Sequence, residues 1–569
     1  MNDLRDADLD VLVIGAGVTG AGCALDAATR GLRVGLVEAR DFAAGTSSRS
    51  TKLFHGGLRY LEHLNFSLVF EALGERSLAL NRLAPHLAQP VRFLYPLRRP
   101  LIDRGYAGLG IGVYDVMGAG RGVPHHLRHL GRRKTLEIFP SARRDALRGS
   151  ISFYEGQVDD ARHTLSLART AASYGALCAS STRVVDFLRA GGRVTGVRVR
   201  DLESGAEFAV RARQTINATG VWMDDLQDML DGRSEFRVRA SKGIHLVVPR
   251  SRITADAGLI TRTEKSLLFL VPWGTSHWII GTTDTDWQLD RAHPAASAAD
   301  IDYLLGQANR LLADPLTRDD VMGVYAGLRP LLAGESDPTS KLSREHAVAS
   351  PMPGLVTVAG GKYTTYRIMA KDAVDAAARG LGRPVAPCCT EDIPLVGAEG
   401  YRGLWNAKGR IAAEAGLAEH HVERLLHRYG SLWGEVRDLI NDRPELASTL
   451  KGAPEYLQAE AVYAASHEGA LHLDDILARR TRISIETWDR GVSAAPEVAA
   501  LVASDLGWRP ADIEREVEHY RLRVAAERES QEQPDDLSAD AARLGAPDVR
   551  TGGRGAGGTR DSLMLPSSP

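Results

Sequence analysis

Three glycines and one acid carry the first chemistry of this chain. Gly15-x-Gly17-x-x-Gly20 follows the apolar run Asp10-Val-Leu-Val-Ile14 and precedes an alanine-rich stretch, 21–30, closed by Gly31. In such a triplet the first glycine allows a tight turn and the second lets backbone approach a pyrophosphate. The third lets the helix pack close to the strand, and the helix N-terminus offers N–H donors to the anion. A second apolar run, Arg33-Val-Gly-Leu-Val37, ends at Glu38, 18 residues beyond Gly20 (38 − 20). A carboxylate there accepts hydrogen bonds from ribose hydroxyls and repels a 2′-phosphate, which disfavours NADP. Strand, triplet, helix, strand and acid in this order predict a βαβ unit that binds a dinucleotide, without separating FAD from NAD.

The segment Gly45-Thr46-Ser47-Ser48-Arg49-Ser50-Thr51-Lys52-Leu53-Phe54-His55-Gly56-Gly57 is the second candidate. Its hydroxyls suit phosphate or ribityl oxygens, and the paired glycines let backbone pack against a flat ring. On composition alone the same segment reads equally well as a surface loop.

Further along, residues 182–216 alternate Val and Arg around Gly191-Gly192, the pattern of a β-hairpin or meander, and Leu267 to Gly281 repeats it around Gly274. Residues 300–312 and 364–380 are expected to be helical, as are amphipathic segments near 406–429 and 455–480. Residues 92–149 hold many arginines and few acids, with an apolar stretch from Tyr106 to Met117. Beyond about 528 the sequence turns polar and then rich in Gly, Ser and Pro, which predicts a disordered tail.

A length of 569 residues allows two to four domains. The net charge of −2 gives the chain as a whole no strong attraction to nucleic acid, so any electrostatic role must come from local patches. Cys23, Cys178, Cys388 and Cys389 include no C-x-x-C pair, so neither a metal nor an iron–sulfur site is expected, and the chain reads as reduced and cytoplasmic. The N-terminus lacks an apolar signal region, and no uninterrupted apolar run approaches 20 residues.

These stretches resemble the FAD-dependent, quinone-linked glycerol-3-phosphate dehydrogenase family. The resemblance rests on GAGVTGAG, GTSSRSTKLFHGGLRYLEH, APHLAQPVRFLYPL, YEGQVDDARHTL, INATGVW, SKGIHLVVP, WIIGTTDTDW, YAGLRPLL, REH and AGGKYTTYR, in family order over about residues 10–380. It implies an α/β (α+β) fold: a glutathione-reductase-like Rossmann domain for FAD, an antiparallel substrate domain and a helical C-terminal cap. On that pattern the FAD domain comprises 1–91, 151–235 and 325–384. An insertion facing substrate or membrane covers 92–150, the substrate domain 236–324, the cap 385–527 and the tail 528–569.

The resemblance also implies the contacts. For FAD these are Gly15, Ala16, Gly17, Thr19, Gly20, Glu38, Thr46, Ser47, Ser48, Lys52, His55, Gly56, Gly57, Val184, Ala218, Gly220, Gly361, Lys362 and Thr364. For substrate they are Arg59, Tyr60, His245, Arg329, Arg344 and Lys362. The expected reaction oxidises sn-glycerol 3-phosphate to dihydroxyacetone phosphate by hydride transfer to FAD, and the electrons pass to a membrane quinone. His245 is the candidate base, Arg329 and Lys362 stabilise the developing alkoxide, and Arg59 and Arg344 grip the phosphate.

Peripheral attachment to the inner face of the cell membrane is implied as well, with the basic stretch 92–149 as the candidate surface. The reading allows a homodimer. Rivals are an oxygen-using glycerol-3-phosphate oxidase, another flavin amine or amino-acid oxidase, and a non-catalytic FAD scaffold. A nicotinamide-linked dehydrogenase fits the first βαβ unit but leaves residues 45–60 and 360–365 without a purpose. The oxidases carry an insertion for which the distance from His245 to Trp273 looks too short, and the cysteine-rich C-terminal domain of the anaerobic form is missing.

Overall fold

The computed structural model describes residues 2–56, 66–97, 128–230, 236–264, 266–332 and 345–551. The apolar run at the start becomes the strand Asp8–Ile14, buried along almost its whole length because helices cover one face and the meander strands near 184–199 the other. It pairs in parallel with Val34–Val37 on one side and Glu207–Asn217 on the other. Leu177–Ala179 and Leu355–Gly360 extend the parallel set outward. His346–Met352 and the meander Thr182–Ala190/Arg193–Asp201 complete eight strands. The expected helix forms over Val18–Thr29, and Gly31, at φ +78°, ends it. Together with the helices Asp160–Ser173 and Tyr366–Arg379 it closes one apolar core over the sheet.

A second sheet of ten strands is almost wholly antiparallel. Near one edge lies its longest strand, Val238–Pro249, flanked by His277–Gly281 and Gly323–Leu332. The helix Ala298–Asn309, opened by a Ser297–Asp300 capping box, covers one face. The other face looks toward the nucleotide domain.

Three expected boundaries change. Ala88–Pro96 and Gly149–Val158 pair along their length inside the antiparallel sheet, so the described parts of 92–150 belong to the substrate domain rather than forming an insertion. The nucleotide domain resumes after Val158 instead of at 151. Gly323–Leu332 is paired with Val238–Pro249 over ten positions, which moves the next return from 325 to beyond 332.

The region after 384 is helical as expected, with two apolar clusters of its own. The tail is not. A helix runs over Pro510–Glu532, and a second over Asp536–Arg543. Their buried residues mix charged side chains, Asp512, Glu516, Asp540 and Arg543, with the apolar Tyr520, Val524, Ala526 and Ala539. Lys242, fully buried, is bonded to Asp300 and Asp536, and Arg550 binds Asp475 at 2.8 Å. Long-range ion pairs together with a few apolar contacts hold the described part of this segment down, so its polar composition does not imply disorder there. Among the described residues no helix is long and apolar enough to cross a membrane.

Candidate active site

The turn after Asp8–Ile14 has the shape an anion needs. Gly15 sits at φ +96°, and a Cβ there would lie 2.9 Å from the Ala218 carbonyl oxygen. A Cβ on Gly20 would lie 1.8 Å from the Gly15 oxygen, so only glycine lets the helix start so close to the strand. Gly15, Gly17 and Thr19 are partly exposed while Ala16, Val18 and Gly20 are buried. The accessible surface at this helix N-terminus is therefore built from the residues expected to meet the pyrophosphate. Gly17 caps the helix without a side chain of its own. Glu38 is aimed back at the turn, accepting from the backbone N–H of Ala16 at 2.8 Å and of Arg40 at 2.9 Å. Burial raises its carboxyl above the usual range. This cradle fits the diphosphate and adenosine ribose of FAD.

The hydroxyl run shapes the loop that follows. Ser47 Oγ accepts from the Val18 N–H at 2.8 Å, and Thr46 Oγ1 donates to the Leu328 carbonyl at 2.6 Å. The loop is thus tied to the first helix and to the substrate sheet. Ser48 Oγ turns back on Gly45. Lys52, in the left-handed region at φ +60° and fully buried, donates to Asp160 at 2.7 Å and to the Ser48 carbonyl at 3.2 Å. Burial and neighbouring Arg482 lower its pKa, while Asp160 opposes them. Arg482 completes the network through Asp159 and Asp160.

Thr364 bridges the loop's end to the second glycine turn. Its hydroxyl accepts from the His55 N–H at 3.1 Å and donates to the His55 carbonyl at 3.2 Å. Gly361, at φ +76°, precedes Lys362, and a Cβ on Gly361 would meet the Met369 sulfur at 2.4 Å. Gly56 N–H approaches Glu155 at 3.4 Å. Ala218 N–H donates to the Ile14 carbonyl, and Gly220 follows at φ +60°. Val184 lies in the apolar cluster that also holds Ile14 and Val37.

Facing this frame, the substrate sheet offers a floor of glycines. Strand pairing sets His245 opposite Gly281 and Tyr325, Gly243 opposite Gly327, and Ser241 opposite Arg329. Alternation places Ser241, Gly243 and His245 on one face. A Cβ on Gly243 would lie 2.5 Å from Arg329 Nη2, and one on Gly281 would lie 2.2 Å from His245 Cδ2. The guanidinium and the imidazole therefore lie down over bare backbone. Arg329 donates to Thr282 Oγ1 at 3.0 Å and the Thr283 carbonyl at 3.1 Å, with Asp284 at 3.9 Å.

The His245 ring stacks on Tyr325, 4.7 Å between centroids, and its Nε2 lies 3.0 Å from Thr51 Oγ1. Nδ1 is buried with no hydrogen-bond partner among the described residues. Burial, then the charges of Arg329 and Lys52, hold the imidazole pKa well below its ordinary value. A neutral imidazole beside a guanidinium is equipped to take a proton from an alcohol.

Arg59, Tyr60, Gly57 and Arg344 lie outside the described residues. Sequence reasoning did not single out Thr51 or Tyr325. Thr51 stands in the hydroxyl run and Tyr325 two residues before Gly327, but only the folded register shows that both meet His245.

Comparison with known proteins agrees with this geometry. The FAD dependent oxidoreductase family matches residues 10–367, and the C-terminal domain of alpha-glycerophosphate oxidase matches 388–513. The chain is 59% identical over 547 residues to glycerol-3-phosphate dehydrogenase 2 of Mycobacterium tuberculosis, covering 96% of this chain and 93% of that protein. Identity to the mitochondrial glycerol-3-phosphate dehydrogenase of Arabidopsis thaliana is 36%, over 88% of this chain and 83% of the relative. Among solved structures, the glycerol-3-phosphate dehydrogenase of Bacillus halodurans complexed with FAD aligns with a TM-score of 0.76 at 30% identity, over 92% of this chain and 96% of that one.

Proposed function

The chain belongs to the family of FAD-dependent glycerol-3-phosphate dehydrogenases, and we propose on that premise how its site works and where its electrons go. It oxidises sn-glycerol 3-phosphate to dihydroxyacetone phosphate with FAD as cofactor. FAD supplies the two-electron acceptor for the secondary alcohol. The residues of this chain bind, orient and deprotonate.

The observation that carries the reading is the convergence of neutral His245 and cationic Arg329 on one glycine-floored face, opposite the loop tied to the FAD cradle. His245 takes the proton of the C2 hydroxyl. Thr51 holds one ring nitrogen and Tyr325 fixes the ring plane, which leaves the other nitrogen for the substrate. Arg329, held in place by Thr282 and Thr283, presents positive charge to the oxygen as it becomes alkoxide. Lys362, beside the second glycine turn, adds to that charge. Arg59 and Arg344 grip the phosphate, for which a guanidinium fork is the fitting shape.

The electrons pass to a membrane quinone, at a membrane surface that the protein touches without spanning. Arg128, Arg132, Arg133 and Lys134 support this, since all four are exposed on one strand–helix segment. Steady-state turnover with a short-chain quinone and with oxygen, on the same preparation, tests the acceptor. Faster turnover with the quinone is the expected result, and oxygen consumption that outruns quinone reduction contradicts it.

A further inference from the structure

On the side of the hydroxyl loop that faces the cap, a cavity of about 70 Å³ lies where Ser48 and Arg49, the segment His293–Ala296, the cap and the tail helices meet. A single water needs about 10–15 Å³ measured in this way, so there is room for a tetrahedral oxyanion. Ser48 of the hydroxyl loop and Tyr325 under the His245 ring stand at its edge, while Gly15, Gly20, Glu38, His245 and Arg329 do not line it.

Its charge is one-sided. Arg49, Arg479, Arg482, Arg523 and Arg543 line it, against the single acid Glu527. Three of the arginines are matched: Arg482 by Asp159 and Asp160, Arg479 by Asp41 and Asp475, Arg523 by Asp474. Arg49 and Arg543 have no carboxylate in ion-pair range among the described residues. Arg49 donates only to the Ala292 carbonyl, at 3.2 Å.

Arg543, 5% exposed, faces His293 Nδ1 at 3.3 Å, while Arg40 faces the ring's Nε2 at 2.5 Å. Burial, then Arg40, keeps that ring neutral. A neutral imidazole has one acceptor nitrogen, so it cannot accept from both guanidinium groups. Arg40 has a carboxylate of its own, Asp548 at 2.7 Å, which leaves the ring to Arg543, a buried guanidinium whose charge no carboxylate meets among the described residues and which a bound anion would complete. Burial and the surrounding positive charge push Arg49 down to about 9 and Arg543 down to about 10, the direction expected of cations lacking an anion.

We propose that this cavity binds a phosphate dianion, free or as the phosphoryl group of a small ester, clamped between Arg49 of the FAD-domain loop and Arg543 of the tail helix. Guanidinium groups and a tetrahedral oxyanion make paired charge-assisted hydrogen bonds. The bound anion also stitches the tail to the body, because Arg543 belongs to Asp536–Arg543.

The test is equilibrium binding of inorganic phosphate, and in parallel of phenyl phosphate, to the flavin-loaded protein. Arg543→Gln and Arg49→Gln are each expected to weaken one phosphate site about 10- to 100-fold while KM for glycerol 3-phosphate stays unchanged. Arg329→Gln, in the substrate site, is expected to keep that site. Binding of phenyl phosphate there assigns the site to an ester, and binding of inorganic phosphate alone assigns it to the free ion. Phosphate binding by Arg543→Gln and Arg49→Gln equal to that of the unaltered protein overturns the proposal, as does loss of every phosphate site in Arg329→Gln. Hydrogen exchange on the unaltered holoenzyme covers variants that do not fold. Phosphate must slow exchange in the amides of 536–550, and no change there also overturns it.

Discussion

The imidazole of His245 and the hydroxyl of Thr51 meet at 3.0 Å, joining the floor of the substrate sheet to the loop that runs beside the FAD cradle. The proposed base is thereby positioned by the cofactor loop. His245→Gln is expected to lower the single-turnover rate with glycerol 3-phosphate by about 10²–10⁴-fold, the usual worth of a positioned base. Thr51→Val should give a smaller loss with unchanged flavin content. Stopped-flow bleaching measures both, and an unaltered rate in His245→Gln removes this residue as the base.

Gly281 tests the glycine floor. A Cβ there would lie 2.2 Å from His245 Cδ2, so Gly281→Ala must push the imidazole away. Displacement by about 1 Å can cost about 10²-fold in rate. The expected pattern is a fall in kcat with retained flavin, read from steady-state kinetics and the visible spectrum.

Stability should fall with acid through the buried histidines. Burial, aided by Arg162, pushes His86 down to about 3, and burial alone pushes His163 to the same value. His245 is also held well below its ordinary value. Above pH 6.5 these rings are neutral in both folded and unfolded chains, so their contribution is fully present. Between about pH 6.5 and 3 only the unfolded chain takes up the protons of His86 and His163, and stability declines by about 1.4 kcal/mol per pH unit for each of these two rings, with His245 acting in the same direction. His472 runs the other way. Burial opposes its protonation, but Glu203 and Glu516 outweigh it and raise the pKa to about 9. Its contribution is present below 6.5 and is lost as pH climbs through 9. Urea unfolding at pH 8.5, 7 and 5.5 should therefore show the steepest loss on the acid side, and greater stability at pH 5.5 than at 7 contradicts the assignment.

How much of this was legible in the residues differs by region. The Asp8–Glu38 unit could be read because its strands are continuous apolar runs and its glycines have a steric job. Strand membership was harder. Arg329 looked like the start of the returning nucleotide domain, yet its strand belongs to the substrate sheet, because register across Val238–Pro249 is a long-range fact that local alternation does not contain. The tail was misread for a physical reason. Asp536 and Arg550 are secured by charges distant in sequence, Lys242 and Asp475, and no hydrophobic periodicity announces such a segment.

The proposed attachment to a membrane rests on the exposed cations Arg128, Arg132, Arg133 and Lys134. Replacing all four with Gln is expected to lower partition onto anionic vesicles by at least about tenfold at physiological salt, with little effect on neutral vesicles. Sedimentation with the two vesicle types reads it. Equal pelleting of both proteins assigns the contact elsewhere.

The central claim is met most directly by following the flavin absorbance of the purified protein under anaerobic conditions on adding glycerol 3-phosphate. Prompt, stoichiometric bleaching by glycerol 3-phosphate, with no response to sarcosine or D-amino acids, is the predicted result. A yellow protein that stays oxidised with glycerol 3-phosphate, or that is bleached by an amine instead, contradicts the account.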